Sequence, residues 1–247
     1  GFRYGEIKRI TLDEPVHGDV IFKDPNLEEL PFTGSMGVFR HLWQEIGNNI
    51  VGYKPYPRIV GETGEKDFIV AHKSAVPKQF AVGISRGAFE FQGQKCSAAS
   101  RLYIPQSLWD PISKKLIKWA SELKMGTVED FENFINAVID RAAFKSITNA
   151  IDKAKQDSEM EVIYGGGYDD SEGWFIEPTF VKVSNPKAWL MEEEIFGPLV
   201  AAYVYQDDKF EETLILCAET SLYALTGAIF ARDRNAVNLA MNVLRNS

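Results

Sequence analysis

The chain of 247 residues is 45% hydrophobic and 25% charged, a composition typical of a globular protein that can bury a sizeable core. Its 35 acidic side chains outnumber its 27 lysines and arginines, and the net charge of -8 disfavours nucleic acid and anionic membranes as partners. The longest apolar run, at residues 199–204, is far shorter than the roughly 20 residues of a membrane helix, so we expect no spanning segment.

The cysteines and histidines exclude several classes of site. Cys96 and Cys217 are too few for a disulfide framework, and no Cys or His spacing predicts a zinc site. We therefore expect a reducing compartment and no bound metal. His17, His41 and His72 are scattered, so a Cys-His protease would have to be assembled from distant segments.

The first predicted helix begins after a turn at Gly34-Ser35. Two short apolar runs, at residues 58–60 and 68–71, then predict strands joined by a polar link at residues 61–65. Glu62 lies in this link, where glycines on both sides would let the backbone approach a reacting centre and let the carboxylate activate water. The alternative is an ordinary surface turn. The apolar stripe of the helix consists of Val38, Leu42, Ile46 and Ile50.

The next predicted helix ends just before Cys96. Its apolar stripe stops at Gly93, and Cys96 then lies in a polar loop ahead of a predicted strand at residues 101–105. A thiol reacts as its thiolate, which Lys95 and nearby backbone N–H groups would favour. The alternative is a buried, inert cysteine, because free Cys is among the most buried residue types. The stripe consists of Phe80, Ile84, Gly87 or Ala88, and Phe91.

Beyond Cys96, predicted strands and helices alternate, which indicates an α/β fold with a mainly parallel sheet flanked by helices on both faces. Strands are predicted at residues 162–164, 175–183, 199–205 and 226–231. Helices are predicted around four apolar stripes: Leu108, Ile112, Leu116, Trp119 and Leu123, ending at Gly126; Phe144, Ile147, Ile151 and Ala154; Phe210, Leu214 and Ala218; and Val237, Met241 and Leu244.

An acidic run at residues 192–194 precedes a turn that contains Phe196 and the Gly197-Pro198 pair. Such a run is usually a solvated surface. In the functional alternative, Glu194 accepts two hydrogen bonds from a ribose diol and Phe196 packs on a cofactor ring. The chain has no G-x-G-x-x-G fingerprint, so the pyrophosphate of a dinucleotide would be held in another way.

Four segments together resemble the aldehyde dehydrogenase superfamily in their order and approximate spacing. Longer flanks, at residues 89–103, 137–140 and 223–230, are similar to the branch of the family that oxidises L-glutamate 5-semialdehyde. The resemblance extends from about Pro15 to Ser247 and implies a catalytic domain at residues 59–247 with a remnant of the NAD-binding domain at residues 1–58. The four segments are Phe32-Thr33-Gly34-Ser35, Gly61-Glu62-Thr63-Gly64-Glu65-Lys66, Gly93-Gln94-Lys95-Cys96 and Glu193-Glu194-Ile195-Phe196-Gly197-Pro198.

The resemblance implies a role for each site residue. Cys96 matches the nucleophile that attacks the aldehyde carbon to form a thiohemiacetal, and hydride transfer to NAD then leaves a thioester. Glu62 matches the base that activates the water for hydrolysis, and the Cys96 N–H would be an oxyanion donor. Lys95 and Ser97 would bind the substrate. The residues implied to bind the cofactor are Gly34, Ser35, Met36, Gly37 and Val38 at a helix N-terminus, together with Glu194 and Phe196.

The implied activity is NAD-dependent oxidation of L-glutamate 5-semialdehyde to L-glutamate, the second step of proline degradation. The resemblance also implies a homo-oligomer and, in a eukaryote, a mitochondrial matrix location. Two alternatives remain: an aldehyde dehydrogenase for another small aldehyde, and a non-catalytic domain of this family that binds a partner or a nucleotide. The presence of both Cys96 and Glu62 argues against the second alternative.

Two departures from the family pattern affect these expectations. Glu65 stands where the family commonly has a glycine, and we expect its side chain to point to solvent. The alternative is that this extra carboxylate raises the pKa of Glu62. Most of the family's cofactor domain, its C-terminal substrate-binding loop and its subunit-joining strand have no counterpart in the chain. We therefore expect a catalytic domain that lacks parts of the complete enzyme.

Overall fold

The computed structural model describes residue 18 and residues 20–246. His17 and both ends of the region of family resemblance lie outside the described residues. The chain divides into two compact units, one ending at Gly64 and the other spanning Glu65–Ser247. This division lies later in the chain than the boundary expected at residue 59, because the strand that follows residue 57 pairs within the first unit.

The first unit contains a helix between two parallel strands. Its elements are β1 (Glu29–Thr33), α1 (Met36–Asn48), a short 3-10 helix (Ile50–Gly52) and β2 (Arg58–Glu62). Leu42 and Ile46 are buried on the predicted face of α1. Ile50 falls outside that helix, because α1 ends at Asn48 with Asn49 as its C-cap.

The second unit alternates strands and helices, as the sequence predicts. Its strands are β3 (Phe68–Ala71), β4 (Arg101–Pro105), β5 (Met160–Tyr164), β6 (Tyr168–Asp169), β7 (Phe175–Ile176), β8 (Thr179–Val183), β9 (Leu199–Tyr205) and β10 (Gly227–Phe230). Its helices are α2 (Pro77–Phe89), α3 (Gln106–Glu122), α4 (Arg141–Gln156), α5 (Trp189–Glu192), α6 (Phe210–Thr220) and α7 (Arg234–Val243), with a 3-10 helix at Glu90–Gly93.

Six of these strands form one sheet in the order β10-β3-β4-β9-β8-β5. Every neighbouring pair is parallel except β5 and β8, which are antiparallel. The short strands β6 and β7 form a separate antiparallel pair. The predicted α/β class with a mainly parallel sheet is therefore confirmed.

The sheet is buried on both faces by two hydrophobic clusters. Val70 and Tyr103 belong to one cluster with the apolar sides of α4, α6 and α7. Their neighbours Ile69 and Leu102 belong to the other cluster with α2 and α3. Because successive side chains of a strand point to opposite faces, this partition places helices on both sides of the sheet, as predicted.

One helix ends earlier than predicted, and one predicted strand is divided into two. Helix α2 ends at Phe89, and Phe91 is 61% exposed instead of lying on the buried stripe, because the backbone leaves the helical conformation there. The predicted strand at residues 175–183 is divided into β7 and β8. Pro178 lies between them, and proline has no N–H to donate to a strand ladder.

The last helix buries a different face from the predicted one. Ala236 and Ala240 are the buried residues of α7, whereas Met241 is 67% exposed. Small side chains let a helix approach its neighbours closely, which explains why alanines occupy the contact. The predicted stripe through Val237 and Met241 is therefore wrong, although the helix itself is confirmed.

Three properties of the described residues bear on function. No helix within residues 18 and 20–246 is long and apolar enough to cross a membrane. In that same part of the chain, no group of three or more His, Cys, Asp or Glu side chains could hold a metal ion. Cys96 is exposed and Cys217 is buried, and both are free thiols.

Candidate active site

The first unit brings Ser35 and Glu62 to the same edge of its small sheet. The parallel pairing of β1 and β2 aligns Thr33 with Glu62, and the Gly34 N–H donates to the Glu62 carbonyl oxygen at 3.1 Å. Glu62 is exposed, at the carboxyl end of its strand. Ligand sites of α/β proteins usually lie at this end of parallel strands. The predicted base therefore lies beside the turn that begins α1.

The N-terminus of α1 presents backbone donors. Ser35 is the N-cap, and its Oγ accepts a hydrogen bond from the Val38 N–H at 3.3 Å. The first turn of α1 has no acidic side chain, and the Cα of Gly37 faces open space. The first N–H groups of a helix have no partner within the helix and suit an anion. Because the Ser35 hydroxyl already caps the helix, the N–H groups of Met36 and Gly37 are the donors that fit a phosphate.

Gly61 has a packing role. A side chain at Gly61 would collide with the ring of Phe39, which stacks on Phe32 with a centroid distance of 5.9 Å. From the sequence alone, the glycine before Glu62 is instead explained by a close approach of the backbone to a reacting centre. The aromatic pair explains why the position has no side chain.

In the second unit, Cys96 follows a strained backbone turn. Phe91, Gln92 and Gly93 have φ values of 55°, 57° and 64°, in the left-handed region that non-glycine residues rarely adopt. Such conformations persist only where surrounding contacts hold them. A side chain at Gly93 would collide with the carbonyl of Gly197, so the turn before Cys96 packs directly on the turn after Phe196.

Two glutamines hold the turn in place. The Gln92 side chain donates to the Ala137 carbonyl at 3.2 Å and accepts from the Asn136 N–H at 3.0 Å. The Gln94 side chain accepts from the Ile139 N–H at 3.0 Å. The sequence reasoning assigned no role to these amides. Only their flanking of Gly93 could have suggested one.

Lys95 is paired with a carboxylate. Its Nζ lies 2.9 Å from the Glu90 carboxylate, which also binds Arg86 at 2.8 Å. The hydrogen bond from Lys95 lowers the pKa of the Glu90 carboxyl. Because the Lys95 ammonium is ion-paired with Glu90, its expected support for a thiolate at Cys96 stays a prediction. Its expected contact with substrate is also untested.

Asp67 ties a distant segment to the Cys96 loop. Its carboxylate accepts from the N–H groups of Leu225 and Thr226 at 2.7 and 2.8 Å, and from the Thr226 hydroxyl at 2.8 Å. The same hydroxyl also donates to the Ser97 carbonyl at 3.4 Å. Ser97 is an exposed residue. Asp67 is 1% exposed and was not among the predicted site residues. Its partners are too far along the chain to be found from local pattern.

The Glu194 carboxylate turns back toward the start of the second unit. Its Oε1 accepts from the Glu65 N–H at 3.2 Å. Burial of the carboxyl raises its pKa, while this hydrogen bond and the charge of Lys66 act in the opposite direction. The Glu65 Oε2 atom is buried as well, so the expectation that Glu65 points to solvent is wrong. The bond from its N–H to Glu194 holds that segment against the acidic turn.

Cys96, Glu194 and Phe196 border one small cavity of about 20 Å³, which has room for about one water molecule. Phe196 has a φ of 56° and is 43% exposed. Its ring and that of Phe91 also border a larger cavity of about 760 Å³, a volume typical of small-molecule sites. The second unit therefore joins the predicted nucleophile to two predicted cofactor contacts.

Residues 4–246 match the Aldehyde dehydrogenase family. The chain belongs to this family. Its match includes both compact units and all the predicted site residues.

Several Delta-1-pyrroline-5-carboxylate dehydrogenases are similar to this chain. Delta-1-pyrroline-5-carboxylate dehydrogenase, mitochondrial, from Dictyostelium discoideum is 50% identical over 232 residues, which cover 93% of this chain and 42% of the relative. The human protein of that name is 42% identical over 242 residues, covering 98% of this chain and 43% of the relative. The NAD-bound crystal structure of the Mycobacterium tuberculosis enzyme matches with a TM-score of 0.89 and 45% identity, covering 96% of this chain and 43% of that one. The chain thus spans less than half the length of each.

The predicted site residues of this aldehyde dehydrogenase chain fall into two groups. Those of the first unit lie at the carboxyl end of its strands, and those of the second unit lie on the two turns that Gly93 and Gly197 bring together. Their roles stay predictions. The first group is Gly34, Ser35, Met36, Gly37, Val38 and Glu62, and the second is Lys95, Cys96, Ser97, Glu194 and Phe196.

Proposed function

We propose that the chain is part of an NAD-dependent aldehyde dehydrogenase that oxidises L-glutamate 5-semialdehyde to L-glutamate. The observation that carries this proposal is an exposed Cys96 thiol on a loop held by Gln92 and Gln94, beside Glu194. The names of the relatives support the substrate. The protein would then act in the second step of proline degradation.

Cys96 provides the covalent chemistry. Its thiolate attacks the aldehyde carbon, a C–S bond forms, and the carbonyl oxygen takes up a proton to give a thiohemiacetal. The Cys96 N–H is the proposed donor to the oxygen while it carries negative charge. When bound, NAD supplies the hydride acceptor. Loss of that hydride from the carbon and of the hydroxyl proton to solvent leaves a thioester on the sulfur.

Glu62 completes the cycle as the proposed general base. It removes a proton from the water that attacks the thioester carbon, the C–S bond breaks, and the carboxylic acid leaves with the thiol restored. The position of Glu62 at the exposed end of β2 supports this role, because the carboxylate can exchange protons with solvent.

The donors and acceptors of the chain fit NAD. The free N–H groups at the start of α1 suit a pyrophosphate, and the Glu194 carboxylate suits a ribose diol. Phe196 offers an exposed ring that can pack on the nicotinamide ribose. Met36 and Gly37 belong to the first unit, and Glu194 and Phe196 belong to the second.

The substrate carboxylate distinguishes glutamate semialdehyde from simple aldehydes. Ser97 is exposed next to the nucleophile, and its hydroxyl is the proposed hydrogen-bond donor to that carboxylate. Lys95 is the proposed nearby cation, with Glu90 as its partner in the absence of substrate. A different small aldehyde without a carboxylate would gain nothing from either residue.

Location and assembly are further parts of the proposal. A mitochondrial matrix location is supported by the Dictyostelium and human relatives, which are named as mitochondrial enzymes. Homo-oligomerisation is supported by the family resemblance. Sedimentation of the natural polypeptide and imaging of a tagged form in its own cells would test these two statements.

The substrate is tested by NADH formation from the complete natural polypeptide with glutamate semialdehyde and with propanal. We expect turnover of the first, and Ser97→Ala should raise its KM by about tenfold without raising the KM for propanal, because only the first has a carboxylate to bind. Ser121→Ala on α3 is the matched control and should change neither value. Preference for propanal in the wild type would favour the alternative aldehyde, and no NADH from either would refute the activity.

A further inference from the structure

Lys66 has a buried side chain without a hydrogen-bond partner. The residue is 1% exposed, and its Nζ is one of the buried polar atoms without a partner in the described part of the chain. Its backbone is fixed, because its N–H donates to the Tyr223 carbonyl at 3.0 Å and its carbonyl accepts from the Arg101 Nε at 2.7 Å. Burial of an ammonium group is strongly unfavourable without compensating charge.

Neither Arg101, which binds the Lys66 carbonyl, nor Asp67, the next residue in the chain, provides that charge. Arg101 is a second buried cation, and its donors are used by the Lys66 and Cys217 carbonyls and by the Tyr103 hydroxyl. The Asp67 carboxylate is used by the segment at residues 225–226. Burial first, and then Arg101, lower the pKa of the Lys66 ammonium to about 7.

The compensating charge comes from the acidic turn. Glu194, and more weakly Glu193, raise the pKa of Lys66 against the effects of burial and Arg101. Glu194 is exposed as a residue, and its carboxylate accepts a hydrogen bond at 3.2 Å from the N–H of Glu65, the residue next to Lys66. Conversely, the Lys66 charge lowers the pKa of Glu194, which burial and Asp67 raise. Each group therefore stabilises the charged form of the other.

We propose that Lys66 is a positioning residue whose buried ammonium, next to the Glu65 N–H that binds Glu194, keeps the Glu194 carboxylate ionised to accept the hydroxyl groups of a cofactor ribose. The identity of the ribose rests on the proposed function. An ionised carboxylate has two acceptor oxygens, whereas a protonated one must orient a hydrogen of its own. Lys66 acts from the interior of the second unit and has no surface with which to contact the cofactor itself.

The proposal predicts a pH-dependent effect. Below its pKa, Lys66 is charged and lowers the pKa of Glu194, so removal of the ammonium leaves more of the carboxyl protonated. Above its pKa, Lys66 is neutral and its removal changes little. A merely structural role would weaken the cofactor site equally at every pH. Glu193, Asp67 and Arg101 remain in place in the variant and contribute equally to both proteins.

The first test measures NAD affinity calorimetrically for the complete natural polypeptide and Lys66→Met. We expect the variant to bind about threefold to tenfold more weakly at about pH 5.5, and equally within about twofold at about pH 8.5. Lys118→Met, on an exposed site of α3, should match the wild type at both pH values. An affinity ratio that is the same at both pH values would overturn the proposal.

The second test needs neither NAD nor a folded Lys66→Met protein. Lysine side-chain NMR, with the Lys66 resonance assigned through Lys66→Arg, should show that Glu194→Gln lowers the pKa of Lys66 and that Glu192→Gln does not. An unchanged Lys66 pKa in Glu194→Gln would overturn the inference whatever the cofactor. If the coupling is present and the wild type binds no NAD, the proposed function and the cofactor role of Lys66 are both refuted.

Discussion

Cys96 and Cys217 carry the same thiol in opposite environments. Cys96 is exposed on a loop that follows three left-handed residues, whereas Cys217 is buried within α6. Burial raises the pKa of the Cys217 thiol to about 12, with Arg101 opposing the shift. A thiol must be both deprotonated and accessible to react, so burial makes Cys217 inert on two counts.

The difference between the two cysteines comes from backbone geometry. Cys217 lies within a regular helix, and its carbonyl serves the packing of Arg101 by accepting a hydrogen bond at 2.9 Å. The chain before Cys96 instead leaves the helix path at Phe91, where left-handed conformations begin, and Gly93 then packs closely against Gly197. That approach costs conformational energy and places a thiol where a substrate can reach it.

The largest difference in turnover is expected between the variant that lacks the Cys96 thiol and the variant that lacks the Cys217 thiol. We expect Cys96→Ala to lower NADH formation by about 10⁴-fold or more, because the covalent step is lost. Cys217→Ala removes the other thiol from the core and should keep turnover within about threefold of the wild type. Steady-state kinetics of the complete natural polypeptide measure both. Equal losses in the two variants would abolish the contrast.

Alkylation should separate the two thiols without any substrate. In the folded protein we expect iodoacetamide to modify Cys96 at least about 100-fold faster than Cys217, because the latter must wait for local opening. Raising the pH to about 9 should leave this protection in place, since the raised pKa of Cys217 lies well above it. Peptide mass spectrometry gives both rates, and the unfolded protein, in which both should react alike, is the control.

The strained turn should be sensitive to one methyl group. Gly93→Ala places a Cβ against the Gly197 carbonyl at a φ of 64°, and we expect a loss of about 2 kcal/mol or more in the free energy of unfolding. Gly87→Ala, in α2, meets only ordinary contacts at 3.6 and 3.9 Å and should be neutral or stabilising by up to about 1 kcal/mol. Denaturant titration compares the two. Similar values would mean that the turn can relax.

The smallest effect is expected at Lys95. Its ion pair with Glu90 is exposed, so Lys95→Met should change the free energy of unfolding by less than about 0.5 kcal/mol. Because Glu90 already shares the ammonium charge, the alkylation rate of Cys96 should fall by less than about threefold. A tenfold fall would show that Lys95, and not the loop geometry alone, determines the reactivity of Cys96.

The helices and strands could largely be predicted from the sequence, whereas the turns that form the site could not. Strand β9 begins and ends at the predicted residues because both of its faces are buried and its apolar run is continuous. The left-handed conformations of Phe91 and Gln92 have no local cause, since neither is glycine. They depend on bonds to residues 136–137, which no local pattern indicates.

The site residues show the same division. Cys96, Glu194 and Phe196 were named from their order in the chain, and the structure places all three around one cavity. Asp67 and Lys66 were missed because burial and long-range contacts give them their roles. The expectation that Glu65 points to solvent is wrong because the bond from its N–H to Glu194 holds the segment inward, and no local pattern indicates that bond.

The most direct test of the central claim, that Cys96 is the covalent nucleophile, is mass spectrometry of a trapped thioester. Glu62→Gln in the complete natural polypeptide should accumulate the acyl group when glutamate semialdehyde and NAD are added, because hydrolysis lacks its base. We expect a glutamyl adduct on the peptide that contains Cys96 and none on the peptide that contains Cys217. An adduct on Cys217, or turnover by Cys96→Ala at the wild-type rate, would contradict it.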